Sequence, residues 1–91
     1  MLFSYVQQFH NKNQFVIYGH KTATFQSYES TICLFDEENE ITLYKDWDYS
    51  NTTRKHLYMF LEEICGFTLP TKNKRLYLLK KIKDGTIIKG Y

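Results

Sequence analysis

One stretch constrains the fold more than any other: Asp48-Tyr49-Ser50-Asn51-Thr52-Thr53-Arg54-Lys55-His56-Leu57-Tyr58-Met59-Phe60-Leu61. Ser50 and Asn51 carry side-chain oxygens of the kind that accept hydrogen bonds from the free amides of a first helical turn. Behind them Thr53, Leu57, Phe60, Leu61 and Ile64 fall at i, i+4, i+7, i+8 and i+11, one continuous apolar face, while Lys55, Tyr58, Glu62 and Glu63 lie away from it. Gly66 is placed to end the helix in the left-handed conformation. A helix with one apolar stripe is stable only when that stripe is buried, so the remaining chain has to supply a surface for it.

The N-terminal half reads as that surface. Leu2–Gln8 is a short apolar-aromatic run suited to an edge strand, followed by a polar turn at His10–Asn13. Phe15–Tyr18 is rich in β-branched and aromatic residues and stops at Gly19; Thr22–Ser27 is a weaker strand. Thr31–Phe35 and Ile41–Tyr44 flank the polar loop Asp36–Glu40, of a length common in hairpins. After the helix, Pro70 marks a break and Thr71 can cap a second helix over Lys72–Lys83, with Leu76, Leu79 and Ile82 (or Lys83) at helical spacing. A strand over Arg75–Leu79 stays open, because periodicity does not assign so short an apolar run. Asp84-Gly85 signals a turn, and Thr86–Ile88 reads as a terminal strand. The expected fold is a single α+β domain over residues 1–91. It has an antiparallel sheet of about four strands packed by one long amphipathic helix, with a second C-terminal helix and a short terminal strand.

Charge is unevenly spread. Residues 1–66 carry five basic against nine acidic side chains, net −4, whereas residues 67–91 carry seven basic against Asp84 alone, net +6. Such asymmetry points to an acidic partner for the basic end. Lys72, Lys74, Arg75, Lys80, Lys81 and Lys83 interleave with Tyr77, the mixture that attracts phosphates and stacks on bases, and equally a lysine-rich solvated helix face. Asp36, Glu37, Glu38 and Glu40 lack the alternating ligands and glycine of a calcium loop and read as a hairpin tip able to face a basic groove. Eight Tyr, seven Phe and Trp47 leave aromatics to spare for a surface after a core is filled.

No zinc-type spacing relates Cys33 and Cys65 to the three histidines, so no metal or cofactor is expected; Cys33, Cys65 and His56 are the ligands to try if one binds. Two cysteines make no disulfide framework, no signal-like start is present and no run reaches the ~18 apolar residues of a membrane span, so a cytoplasmic chain with reduced thiols is expected. Nucleophile elbows, phosphate-binding glycine loops and paired catalytic carboxylates are missing, and a non-enzymatic role is expected.

Ser27-Tyr28-Glu29-Ser30 and Tyr49-Ser50-Asn51-Thr52-Thr53-Arg54-Lys55-His56-Leu57 together resemble a group of short proteins from phages and mobile elements of Firmicutes. Those share a Ser-Tyr-acid-Ser/Thr opening, a strand pair, then Tyr-Ser-x-Thr-Thr-x-x-His and a Phe-Leu helix. The likeness spans roughly residues 27–61, with Ser30 here where Thr is usual. Capping and packing account for Ser50, Thr52, Thr53, Leu57, Phe60 and Leu61; Arg54 and His56 are left for a contact or a buried hydrogen bond. The resemblance implies a phage accessory protein. The leading expectation is an anti-CRISPR-like inhibitor that occludes a bacterial Cas effector or its guide-RNA complex in the host cytoplasm, as monomer or homodimer and away from membranes. The alternatives are a nucleic-acid-binding accessory protein using the basic C-terminal segment, and a Tyr-rich scaffold.

Overall fold

The computed structural model describes residues 5–91. Five strands follow one another as a meander: β1 (Tyr5–Phe9), β2 (Asn11–Gly19), β3 (Thr22–Ser27), β4 (Ser30–Phe35) and β5 (Ile41–Leu43). Each pairs antiparallel with the next. Helices α1 (Asn51–Glu63) and α2 (Lys74–Lys83) then carry the chain back to β6 (Ile88–Lys89), which lies parallel to β5 at the sheet edge.

This overturns the expected sheet of about four antiparallel strands under one long helix: among the described residues there are six strands, one pairing is parallel, and the helices are short, 13 and 10 residues. The reasons are physical. The edge strand expected at Leu2–Gln8 is β1, which is exposed at all but Phe9 and joins the sheet through its backbone ladder to β2, adding a strand to the count; Leu2–Ser4 lie outside the described residues. The expected turn at His10–Asn13 contracts to His10, at φ 62°, and β2 begins at Asn11. The terminal strand expected at Thr86–Ile88 forms over Ile88–Lys89, and the two-helix connection returns it alongside β5 in the parallel sense.

Val16, Phe25, Cys33 and Leu43 are successive partners across β2 to β5, and all four are buried. They form the inner face on which α1 lies. Phe60 stacks on Phe25 with ring centroids 5.7 Å apart, and Phe9 meets both rings edge-on at 6.1 and 6.3 Å. A bulge in β4 sets Cys33 opposite Phe25 and Thr31 opposite Gln26, leaving Ile32 over. Ile32 is therefore buried beside Cys33 instead of alternating with it. Trp47, Leu69, Leu78 and Ile87 close the core from the connections and α2. Gly66 adopts φ 66° past the end of α1, and Phe67 N–H bonds back to the Leu61 carbonyl at 2.8 Å.

Among the described residues the opposite face carries no helix. Val6, Ile17, Thr24, Leu34, Thr42 and Ile88 are register partners in one row across all six strands. Gln8, Phe15, Gln26 and Thr31 form the row beside it.

The second helix departs from its expected geometry. It starts at Lys74 rather than Lys72, after Asn73 at φ 59°, and no side chain caps it; Thr71 instead accepts the Lys74 Nζ on its carbonyl at 3.1 Å. The spacing of Leu76, Leu79 and Ile82 implies a buried stripe, yet Leu78 is the buried residue, while Leu76 is 61% and Leu79 36% exposed. The packing face is Leu78 and Ile82, one turn apart, with Tyr77 beside them.

Candidate functional site

The two sequence blocks that carry the phage-protein resemblance meet in space. Ser27-Tyr28-Glu29-Ser30 turns β3 into β4, and Tyr49–Thr53 enters α1; between them opens a cleft of about 850 Å³, lined also by Asn13, Phe15, Ile32 and Asp46. A chain of hydroxyls joins the blocks. Ser50 Oγ accepts the Thr53 amide at 3.1 Å, capping α1, and donates to Thr53 Oγ1 at 3.1 Å; Thr53 Oγ1 in turn lies 3.3 Å from Ser27 Oγ. Ser27, Ser50 and Thr53 thus latch helix to sheet.

Above the latch stand two exposed rings, Tyr28 (58%) and Tyr49 (81%). Tyr28 occupies the first central position of a two-residue hairpin turn at φ 55°, where glycine is the natural residue. Its amide bonds to the Asn13 carbonyl at 2.7 Å and its carbonyl accepts Gln26 Nε2 at 2.7 Å, which hold the unfavourable conformation. The lining includes Glu29 and Asp46 and, among the described residues, no lysine or arginine. The turn, a tyrosine where a glycine fits, was visible in the sequence only as part of a motif.

Asp48 organises the junction of the two helices. Its carboxylate receives Arg54 Nη1 at 2.8 Å and Arg75 Nε and Nη2 at 2.7–2.9 Å. Arg54 also reaches the Asp48 carbonyl at 3.1 Å and the Asn51 side chain. Hydrogen bonds from Arg75, with Arg54 adding to them, hold the Asp48 carboxyl below the usual carboxylate range against the opposing effect of burial; the same pairing raises Arg75. Two of the expected partner-binding cations, Arg54 and Arg75, are therefore engaged within the fold. His56 is buried, with Nδ1 2.9 Å from the Thr52 carbonyl, to which its N–H donates.

The remaining basic side chains separate by helix face. Lys81 is half-buried, 5.2 Å over the Tyr77 ring and 4.0 Å from Asp84; Lys74 is half-buried on Thr71. Lys72, Lys80 and Lys83 are exposed. At 100° per residue, Lys80 and Lys83 share with Leu76 and Leu79 the face opposite Leu78. At the far end of the sheet from the cleft, Asp36 Oδ1 accepts the Glu38 and Glu40 amides at 2.9 and 3.0 Å, so it shapes the β4–β5 turn and leaves Glu37, Glu38 and Glu40 exposed at its tip.

Cys33 and Cys65 are free thiols; burial pushes Cys65 up to about 12 and Cys33 well above the ordinary thiol range. Among the described residues, no group of three or more His, Cys, Asp or Glu is arranged to hold a metal ion. No helix among them is long and apolar enough to cross a membrane.

Residues 1–77 match the family of unknown function DUF8033. The chain belongs to that family. The matched stretch contains the whole cleft and ends at Tyr77, inside α2, ahead of Lys80, Lys81 and Lys83. No curated protein and no solved structure matches the chain.

Proposed function

We propose that this protein is a non-enzymatic binding protein that docks an acidic macromolecular surface through the outer face of α2. The observation that carries this reading is the exposure of Leu76 and Leu79 on the same helical face as Lys80 and Lys83. Lysines in a last helical turn are accounted for by the helix dipole alone. Two leucines turned to solvent among them are not, and a mixed apolar and cationic face suits a protein partner that is itself acidic.

Joined to the resemblance to phage proteins, this face supports an inhibitor of a bacterial defence nuclease that occludes a Cas effector or its guide-RNA complex. The second reading, direct nucleic-acid binding, is favoured by Lys72, Lys80 and Lys83, exposed lysines on and just ahead of α2. The readings separate on addition of the protein to a purified RNA-guided nuclease. Inhibition predicts co-elution and loss of DNA cleavage, reversed by Leu76→Asp. Nucleic-acid binding predicts a mobility shift on naked DNA or RNA that weakens steeply with salt, is abolished by Lys80→Glu with Lys83→Glu, and is little changed by Leu76→Ala. Failure of the protein to engage either a nuclease complex or nucleic acid overturns both.

A further inference from the structure

We propose that the helix-free face of the sheet is a homodimer interface, on which two copies pack sheet to sheet about a twofold axis parallel to the strands. Three observations lead there. The first is charge. The two rows across this face, Val6-Ile17-Thr24-Leu34-Thr42-Ile88 and Gln8-Phe15-Gln26-Thr31, contain no charged residue. In a chain that is 24% charged, ten positions on an exposed surface would ordinarily hold about two or more. An acidic or basic partner finds nothing here to pair with, whereas a second copy brings an equally neutral face and buries no charge.

The second observation is the order of residues in the first row. A twofold axis running parallel to the strands between β3 and β4 sets β1 of one copy over β6 of the other, β2 over β5 and β3 over β4. Val6 then faces Ile88, Ile17 faces Thr42, and Thr24 faces Leu34 of the second copy. Each large side chain at the centre meets a threonine, the alternation that lets two sheets interdigitate at ~10 Å. The row is self-complementary under this axis. The apolar members of the two rows lie outside the core cluster: Ile17, Leu34 and Phe15 are half-buried, and Val6 is 61% and Ile88 40% exposed.

The third is area. Six strands at ~4.8 Å spacing and about six residues of length at ~3.3 Å each give a footprint on the order of 500 Å² per copy. Both copies together reach roughly 1,000 Å², the lower end for a specific interface.

Sedimentation equilibrium of the full chain from about 1 to 300 µM tests this, a range that brackets a micromolar Kd. The expected result is a monomer–dimer equilibrium that Thr24→Lys and Leu34→Glu each abolish, with far-UV CD unchanged. Mixing the two variants is expected to restore a heterodimer, because the lysine introduced in one copy then faces the glutamate introduced in the other. A wild-type chain monomeric throughout the range overturns the proposal, as does a dimer that survives both substitutions. If either variant fails to fold, Ile88→Lys, at the sheet edge, replaces it, and persistence of the dimer in that variant counts against the interface.

Discussion

Arg75, in the first turn of α2, grips the carboxylate of Asp48 with Nε 2.8 Å and Nη2 2.7 Å from Oδ2. The two residues are 27 positions apart, and Arg54 of α1 binds the same carboxylate. One acid therefore pins both helix starts together, tying the acidic part of the chain to the first turn of its basic end. The first prediction concerns this junction.

Asp48→Ala leaves two guanidinium groups without their shared partner. Asp48 is 24% exposed and Arg54 21%, so the loss is larger than for a surface pair: about 1–2 kcal/mol. In a domain of this size that lowers Tm by about 5–10 °C, measurable by calorimetry.

The same carboxyl sets a pH dependence. Its folded-state pKa lies below the unfolded value of about 4, so the unfolded chain takes up the proton first as pH falls. The stability contributed by Asp48 is complete above pH ~4 and is lost as pH falls through the folded pKa. Asp84, held low by bonds from Thr86, acts in the same direction. Urea titrations between pH 6 and 2 are expected to show a shallower acid decline for Asp48→Asn than for the native chain, with part of the decline persisting through Asp84.

Leu76→Ala and Leu79→Ala are expected to change stability by under about 0.5 kcal/mol, because both side chains point away from the core. Leu78→Ala, fully buried between them, is expected to cost about 2–4 kcal/mol. Thermal melts of the three variants decide whether α2 is rotated as described: equal losses at 76 and 78 would contradict it.

Both thiols are expected to resist alkylation in the folded chain at pH 8, since burial keeps them protonated. Labelling with iodoacetamide is expected to be slow for both thiols in the folded chain, Cys65 ahead of Cys33 as the less buried, and rapid for both once the chain unfolds. Rapid native-state modification of Cys33 would contradict the packing of Phe25, Cys33 and Leu43.

Tyr28→Gly relieves a left-handed backbone that costs a tyrosine about 1–2 kcal/mol, partly offset by the greater freedom of glycine in the unfolded chain. The net expectation is an unchanged or slightly raised Tm. A fall of several degrees would show that the Tyr28 ring itself stabilises the fold.

What the sequence determined by itself is the local chemistry. Ser50 caps α1 because its hydroxyl is the nearest acceptor for a free amide, and Leu57, Phe60 and Leu61 face the sheet because 3.6 residues make a turn. Gly66 takes the left-handed end because it has no Cβ. Tertiary structure decided whatever depends on who sits across the gap. Strands were legible near both ends, at Leu2–Gln8 and Thr86–Ile88, but how they pair, β1 antiparallel on β2 and β6 parallel on β5, is settled by backbone hydrogen bonds that leave no side-chain pattern. The face of α2 that is buried follows from what the core offers, so Leu78 was chosen over Leu76 and Leu79 by contacts with the rest of the core cluster. Arg75 read as one of a run of free cations, and Arg54 as a contact without a named partner, until the fold brought Asp48 between them. Periodicity records a chain's relation to its own axis; pairing, rotation and charge compensation are relations between distant segments, and those became visible only once the chain had closed on itself.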